Sequence, residues 1–308
     1  MKKNFLLALA LCACGGLALS AQPRSASQPK LLIKSESGLM APLWSPTGDR
    51  IAVTTDNYTG ILVADADGKA LTSVTNLSGA GYKMQWSADG SRIMGRTNIT
   101  ENNRVFHEVK VWNISDGSEQ TVVAKTRALN GTPVWDNENV IVSEQNGSKA
   151  VNIRTKSVKP AAALNVYTIM MNDPTNAAKR IAGLKQFEGK MVINPALSAD
   201  GSMVAFQIPG KGIYSCTVAG ENVRFITKGS HPAWLPDGKT IVYTDVKDDG
   251  NRFTESYIMA VNTATMASVQ LAGGTDIIPL TPSVSPDGMK VAFENAADAA
   301  IYVITLKY

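Results

Sequence analysis

The chain has 308 residues, of which 30 are Lys or Arg and 26 are Asp or Glu, and its formal net charge is +4 at pH 7. So small an excess of positive charge gives no support for nucleic-acid binding through bulk electrostatics. Two of the three cysteines fall within the first 14 residues, which excludes a fold held together by several disulfides. A chain of this length corresponds to one or two domains.

The N-terminal residues have the pattern of a secretory signal peptide. Two lysines precede an apolar run over residues 5–19, and small residues before Gln22 suit cleavage by signal peptidase. The run is shorter than the roughly 20 residues that a membrane-spanning helix needs, and no other segment comes close. We therefore predict a signal peptide over 1–21, a single domain over 22–308, and a periplasmic or secreted protein without a membrane span. An alternative is a lipid anchor through Cys14, because Leu-Cys-Ala-Cys loosely imitates a lipobox.

One phrase recurs six times along the rest of the chain: a proline-led apolar tetrad, a turn related to Ser-Pro-Asp-Gly, and a short apolar strand. Clear copies are HPAWLPDGKTIVY, which begins at His231, and TPSVSPDGMKVAF, which begins at Thr281. The tryptophan position of the phrase is occupied in turn by Trp44, Trp86, Trp135, Leu197, Trp234 and Val284. These positions are about 48 residues apart on average, which is the period of propeller blades.

Each copy of the phrase begins a four-stranded antiparallel meander. In the fourth copy the strands are predicted at 195–197, 203–206, 213–218 and 223–227, with Gly and Asn in the intervening turns to supply positive φ. A sheet that is apolar on both faces must stack against neighbours, and stacking in a ring buries every face. The sequence therefore predicts an all-β, six-bladed β-propeller. We expect the proline-led strand to be innermost and the tryptophan to wedge between adjacent blades.

The third and last copies depart from this regular pattern. The last copy supplies only three strands, and we predict that residues 31–34 add the missing outer strand and close the ring. In the irregular third copy we predict the third strand at 166–171 and the fourth at 178–182, with 147–164 as an inserted excursion. An alternative is a helix over 173–187, because Asp-Pro is a helix start signal.

The repeated phrases resemble the TolB-type, or tricorn-type, propeller repeat, whose signature is Pro-x-Trp-Ser-Pro-Asp-Gly-x-x-Ile/Val-x-Phe. The resemblance covers residues 41–308 and implies a six-bladed propeller of a kind often found in cell-envelope proteins. The first repeat starts too soon after the signal peptide to leave room for the N-terminal α/β domain of TolB, so a role in the Tol–Pal system does not carry over. The Gly-x-Ser-x-Gly elbow and hydrolase domain of propeller peptidases are also missing from the sequence.

The repeat register places six residues at equivalent positions, each directly before the proline position, where they should face one mouth of the channel. They are Ala41, Lys83, Thr132, Asn194, His231 and Thr281. We predict a ligand-binding or partner-binding site here, in which Thr132, Asn194 and Thr281 form hydrogen bonds. Lys83 and His231 would supply charge. The alternative is that these side chains are polar only because a channel mouth is wet.

The ring offers one histidine and no carboxylate, whereas a protein-held transition metal needs three or four converging ligands. We therefore predict no catalytic residues, no metal and no cofactor. The function that we favour is a monomeric, non-catalytic binding scaffold for an envelope protein or peptide segment. One alternative is a polysaccharide lyase or lactonase-like hydrolase that uses His231 with Lys83 at the channel mouth. Another is an assembly subunit that binds through its blade edges or through the basic segment 147–164.

Overall fold

The computed structural model describes residues 21–161 and 163–308. The predicted signal peptide, with Cys14, therefore lies outside the described residues apart from Ala21. The described part of the chain forms six antiparallel sheets arranged as the blades of a propeller. No helix in this part of the chain has the length and apolar character needed to cross a membrane.

The strands follow one another in chain order from the inside to the outside of each blade, and the two most N-terminal strands belong to the last blade. The N-terminal strands are β1 (Ser25–Ala26) and β2 (Lys30–Ile33). Blade 1 contains β3 (Met40–Trp44), β4 (Arg50–Thr54), β5 (Ile61–Asp65) and β6 (Thr72–Thr75). Blade 2 contains β7 (Gln85–Trp86), β8 (Arg92–Glu101), β9 (Arg104–Asn113) and β10 (Glu119–Thr126). Blade 3 contains β11 (Leu129–Asp136), β12 (Asn139–Glu144), β13 (Gly147–Asn152) and β14 (Val158–Pro160).

Two short helices separate the third blade from the fourth. They are α1 (Val166–Asn172) and α2 (Ala177–Arg180), followed by a 3-10 turn over Ala182–Phe187. Blade 4 contains β15 (Ile193–Leu197), β16 (Met203–Ile208), β17 (Gly212–Thr217) and β18 (Arg224–Thr227). Blade 5 contains β19 (Ser230–Trp234), β20 (Thr240–Asp248), β21 (Phe253–Asn262) and β22 (Ser268–Gly274). Blade 6 contains β23 (Pro279–Val284), β24 (Lys290–Asn295) and β25 (Ala300–Lys307). The all-β, six-bladed propeller predicted from the repeats is confirmed.

In blades 4, 5, 6 and 1 the first strands of successive blades contact one another, as expected of strands that surround the central axis. The tryptophans join adjacent blades, and three of their indole N–H groups donate to a backbone carbonyl of the preceding blade. These hydrogen bonds run from Trp86 to Leu43 (3.2 Å), from Trp135 to Gln85 (3.2 Å) and from Trp234 to Ala196 (3.1 Å). Each acceptor directly precedes the equivalent tryptophan position of its own blade, so the repeat sequence specifies the joint between blades.

The N-terminal strands close the ring. Strand β2 pairs antiparallel with β25, with Leu31 opposite Tyr302, and β1 pairs with the far end of β25. The prediction that an N-terminal strand completes the last blade is confirmed. Ile33 is only 3% exposed and packs with Trp44 and Ile301 between blades 6 and 1.

The predicted strands of the third blade are wrong. Its third and fourth strands are β13 and β14, which lie in the segment that we had predicted to be an excursion, and residues 166–182 are helical rather than extended. Strand β13 pairs along all of β12 through a two-residue turn, although its sequence Gly-Ser-Lys-Ala-Val-Asn is mostly polar. The helical alternative was closer, but α1 begins at Val166 and ends at Asn172, just before the predicted start at Asp173.

The helical insert, residues 165–192, is held by a cap and by burial. The Asn165 side chain accepts a hydrogen bond from the Thr168 backbone N–H (2.8 Å), which satisfies a free donor at the helix start. Met170 and Leu184 are fully buried and belong to the same apolar cluster as Phe206 of blade 4. Burial against blade 4 therefore fixes the insert above the channel.

Aspartates hold the turns between first and second strands. In blade 2 the Asp89 carboxylate accepts hydrogen bonds from the Ser87 hydroxyl (2.6 Å) and from the backbone N–H and hydroxyl of Ser91 (3.0 and 2.8 Å). Asp200 of blade 4 makes the same contacts with Ser198 and Ser202. The hydrogen bond from Ser87, followed by those from Ser91, lowers the pKa of Asp89 to about 2.

These turns should make stability depend on acidity. Because the pKa of Asp89 in the fold lies below the ordinary value of 3.8, its contribution is present at higher pH and is lost as the pH falls toward about 2. We expect urea denaturation to show a falling free energy of unfolding between about pH 5 and pH 2, and a shallower fall for Asp89→Asn. Asp67→Asn is the control, since that carboxylate is exposed. An unchanged slope in Asp89→Asn would contradict the assignment.

Candidate functional site

A cavity of about 480 Å³ opens at the mouth of the channel, on the face where the first strands begin. We call this the cavity face. Lys83, Asn194, His231 and Thr281, which are four of the five predicted site residues, line the cavity together with Ala41. The repeat register thus brings residues of blades 1, 2, 4, 5 and 6 to one place.

Thr132, the fifth predicted site residue, lies elsewhere. It is buried (3% exposed) beneath α1, and its backbone carbonyl accepts a hydrogen bond from the Asn172 side chain (2.7 Å). Tyr167 and Met171 of α1 line the cavity instead. The helical insert therefore replaces the ring residue of blade 3 with an aromatic and a thioether side chain, while Trp135 of that blade still lines the cavity.

A left-handed backbone conformation directs the ring residues toward the axis. Ala41, Lys83, Asn194, His231 and Thr281 have φ values of 50°, 49°, 50°, 50° and 45°. Such values are uncommon outside glycine, and in blades 1, 4, 5 and 6 they coincide with a shift in the pairing of the first two strands, which marks a β-bulge. The bulge is therefore a feature of the repeat, and it sets where these side chains point.

Blade 3 departs from this pattern by one residue. Its left-handed position is Gly131, with φ of 47°, and the pairing shifts between Asn130 and Val134. Thr132 is consequently displaced from the position that its equivalents occupy. A Cβ added at Gly131 would lie only 2.3 Å from the carbonyl oxygen of Met171. Glycine at this position therefore lets α1 approach the strand closely.

A second ring of side chains, at the ends of the second strands, lies behind the first. Its members are Thr54, Arg96, Ser143, Gln207, Thr244 and Glu294. The Glu294 carboxylate accepts the Ala41 backbone N–H (2.5 Å), and the Gln207 side-chain oxygen accepts from the Asn194 amide (3.0 Å). The repeat sequence also identifies this second ring. In five of the six copies its member lies ten positions after the tryptophan position.

The positive charge at the cavity comes from blade 2. Burial, followed by the nearby Arg96, lowers the pKa of Lys83 to about 8, and burial lowers the pKa of Arg96 as well. Burial, followed by the charge of Lys83, lowers the pKa of His231 to about 4. His231 is thus neutral at pH 7. The second positive charge comes from Arg96 and not, as the sequence predicts, from His231.

An aromatic ring lies against both cations. The Lys83 ammonium is 5.6 Å and the Arg96 guanidinium 5.9 Å from the centre of the Tyr82 ring, within the range of cation–π attraction. Tyr82 is itself held edge-on by Tyr58, with 5.0 Å between the ring centres. The arrangement fixes two positive charges close together on one side of the mouth.

Two long hairpins project from the cavity face. Strands β8 and β9 of blade 2 continue past Arg96 to a turn after Glu101, and β20 and β21 of blade 5 continue past Thr244 to a turn after Asp248. Blades 2 and 5 are opposite each other in a six-bladed ring. The channel mouth therefore lies in a trough between two walls, with the helical insert at its side toward blades 3 and 4.

Within residues 21–161 and 163–308, no three His, Cys, Asp or Glu side chains converge as a metal site would require. Glu294 lies behind Ala41, and burial raises the pKa of its carboxyl group. The His231 ring contacts the Ser230 hydroxyl (3.3 Å). The chemistry that this arrangement supports is recognition of a polar or anionic group.

The sequence matches no protein-family model, and no curated protein is similar to it at a significant level. Several solved structures resemble the fold. Oligogalacturonate lyase from Vibrio parahaemolyticus is 15% identical, over 88% of this chain and 79% of that one, with a TM-score of 0.50. TolB from Acinetobacter baumannii is 16% identical, over 88% of this chain and 64% of that one, with a TM-score of 0.48.

The chain is a six-bladed propeller, and the TolB-like fold expected from its repeats is confirmed. At such low identities, similarity shows the fold alone, because one fold carries many unrelated functions. What the protein binds or does must be argued from the channel mouth.

Proposed function

We propose that the protein is a non-catalytic binding scaffold, periplasmic or secreted, whose channel-mouth cavity holds a segment of an envelope protein. The observation that carries this proposal is the convergence of Lys83, Asn194, His231 and Thr281 on one cavity of about 480 Å³. A cavity of this size admits a few residues of an extended chain. The trough between the hairpins of blades 2 and 5 would let such a chain continue out of the cavity toward blades 6 and 1, away from the helical insert.

The lining of the cavity suits a peptide. Proline rings and tryptophans form apolar walls, and amide and hydroxyl groups between them can pair with a peptide backbone. The prolines and tryptophans of the lining are Pro42, Trp44, Pro46, Trp86, Trp135, Pro195, Pro232 and Pro282. Aromatic anchors with a few polar groups are typical of binding sites that depend on burial as well as on hydrogen bonds.

Catalysis at the mouth, by a lyase or a lactonase-like hydrolase, is the second candidate. The observation that favours it is the pKa of Lys83, about 8, since a general base works best when its pKa is near the working pH. His231 is oriented by a hydroxyl rather than by a carboxylate, which leaves it a weak base. Turnover of a uronate polymer or a lactone that disappears in Lys83→Met would favour this candidate over the scaffold.

The structure weakens the hypothesis of a partner-binding site at the outer edge of blade 3, which depended on the positive charge of segment 147–164. Two of the basic side chains in segment 147–164 are paired with acids of their own blade, Lys149 with Glu144 and Arg154 with Glu138. The segment is therefore less positive than its sequence suggests. The channel mouth remains the better candidate.

The proposal is tested by capture from envelope extract with matched variants. We expect a protein to be retained by the wild type and lost by Lys83→Glu combined with His231→Ala, both of which alter the cavity. Lys239→Glu is the control, because this exposed lysine lies in a turn on the opposite face. Unchanged melting temperatures would show that all variants fold. Equal retention by all three proteins would contradict a site at the channel mouth.

A further inference from the structure

Lys83 and Arg96 are largely buried, and neither forms an ion pair with any residue that the structure describes. One terminal nitrogen of Arg96 donates to the Gly131 carbonyl, but its buried Nε has no hydrogen-bond partner. Among the described residues the Lys83 ammonium forms no ion pair and lies over the Tyr82 ring. Lys83 is thus a cation on the cavity wall without an anionic partner, and Arg96, which is not part of the wall, adds positive charge nearby.

This arrangement is costly unless something compensates it. Buried charges are normally paired, and like charges placed side by side oppose each other's ionisation. Both pKa values are lowered here, that of Lys83 to about 8 by burial and then by Arg96. An anion in the cavity would contact the Lys83 ammonium and offset both its burial and the charge of Arg96. Strongly perturbed groups of this kind cluster at functional sites.

The rest of the mouth limits the kind of anion. Glu294 lies directly behind Ala41, and its carboxyl group would repel a doubly charged phosphate more strongly than a singly charged group. His231 is neutral at pH 7 and adds no positive charge. An ammonium on the cavity wall suits a carboxylate, with which it forms a charge-assisted hydrogen bond. The Thr281 hydroxyl, which also lines the cavity, interacts with the Glu294 carboxyl group.

We propose that Lys83, supported by the nearby positive charge of Arg96, forms a carboxylate-anchoring site, which receives an acidic side chain or the C-terminal carboxylate of an extended peptide. This inference rests on the proposed function and names the chemistry by which the partner is recognised. The tryptophan and proline walls would then pack against the residues that flank the carboxylate.

The site can be tested directly on Lys83. In protein labelled with ¹³C at the lysine ε-carbon, the Lys83 signal is assigned by its loss in Lys83→Met. The peptide probes are acetyl-pentaalanine with a free C-terminus, its amide, and an amidated form with a central aspartate, each at about 10 mM, above the dissociation constants of weak millimolar contacts. Inorganic phosphate and a uronic acid disaccharide are compared at the same concentration. We expect the signal to move, and the titration midpoint of Lys83 to rise above about 8, with a carboxylate-bearing peptide but not with the neutral one.

The two acidic peptides distinguish the source of the carboxylate. Movement with the free C-terminus alone indicates capture of a chain end, and movement with the aspartate peptide indicates capture of a side chain. Either result supports the site. No movement with either peptide, equal movement with the neutral peptide, or movement only with inorganic phosphate or a uronic acid disaccharide would overturn it.

Affinity provides a second readout, because three tryptophans that line the cavity report binding by fluorescence. We expect Lys83→Met to weaken binding of the acidic peptide about tenfold or more, as loss of a charged hydrogen bond does. Asn194→Ala, which keeps both cations, is the matched cavity control and should weaken it less. An equal loss in both variants would point to general packing and would overturn the anchor.

Binding should also weaken between about pH 7 and pH 9. A carboxylate raises the pKa of Lys83 in the complex, so affinity is highest where Lys83 is protonated in the free protein and falls as the pH rises through about 8. The other groups that face Lys83 are Tyr82, Arg96 and His231. Arg96 remains charged and His231 remains neutral across this range. The slope should vanish in Lys83→Met, and its persistence would contradict the role of Lys83.

Failure of the anchor and failure of the scaffold can be told apart. If a partner is captured through the cavity but the Lys83 signal does not respond to carboxylates, only the carboxylate anchor is overturned. If the Lys83 signal responds to carboxylates but no envelope protein is captured, the scaffold function is overturned and the anion site remains.

Discussion

Replacement of Ile33 by alanine should lower the free energy of unfolding by about 2–5 kcal/mol, as large-to-small changes in a packed core do. Ile33 is 3% exposed and fills the space between Trp44 and Ile301, where the last blade meets the first. The substitution removes apolar contact at the joint that closes the ring. Urea denaturation followed by tryptophan fluorescence measures the effect, since Trp44 is part of the same cluster.

Leu31→Ala is the matched control for this prediction. Leu31 lies on the same strand but is 53% exposed, so its truncation should change the free energy of unfolding by about 0.5 kcal/mol or less. Faster proteolysis near the N-terminus in Ile33→Ala, but not in Leu31→Ala, would show that the N-terminal strand has detached. Equal small effects of both changes would mean that this strand does not secure the ring.

Gly131→Ala should have the second largest effect, because it acts on the close contact between blade 3 and the helical insert. An added Cβ would lie 2.3 Å from the Met171 carbonyl oxygen and 2.5 Å from backbone atoms of Asn172, so α1 must move away. Overlap of this kind costs about 1–3 kcal/mol, in addition to about 1 kcal/mol for a left-handed alanine. Both Tyr167 and Met171 should shift at the cavity.

Gly117→Ala separates the two contributions. Gly117 is also left-handed, with φ of 69°, but nothing lies within 4 Å of an added Cβ. Its substitution should therefore cost only the backbone term. A comparison of urea denaturation, together with peptide binding monitored by fluorescence, checks the prediction. If Gly131→Ala behaved like Gly117→Ala in both measurements, the insert would not depend on this contact.

The innermost strands could be predicted because their sequence indicates both their secondary structure and the blades against which they pack. A proline at the start, a tryptophan at the end and an Asp-Gly turn recur at matching offsets, so the blades and their stacking follow from local pattern. The channel-mouth residues Lys83, Asn194, His231 and Thr281 follow from the same register. Here local propensity and global fold agree, which is the condition under which sequence patterns are reliable.

Blade 3 could not be predicted because its local patterns oppose its fold. Strand β13 is mostly polar, and the segment Val-Tyr-Thr-Ile-Met-Met of α1 consists largely of residues that favour strands. Burial of Met170 against blade 4 makes that segment helical, which is a tertiary effect. Thr132 was misplaced for a related reason, since the extra bulge residue beside it depends on the approach of α1 to Gly131.

The sequence does not single out Arg96, because charge alone does not show which arginine of a folded protein is buried. Its importance comes from the burial that it shares with Lys83 and from the Tyr82 ring that lies against both. The offset from Trp86 identifies the position, but only the folded structure shows that no carboxylate accompanies it.

Closure of the ring by β2 on β25 determines when the fold can be completed. Synthesis proceeds from the N-terminus, so β2 is made first and must wait until β25, nearly the whole sequence later, is available for pairing. Until then Ile33 remains exposed and the blades form an open arc. A chain that stops before β25 cannot bury Ile33, and quality-control proteases would encounter its loose N-terminal strand. Pairing of β2 with β25 therefore occurs only in a chain that has been synthesised as far as its last strand.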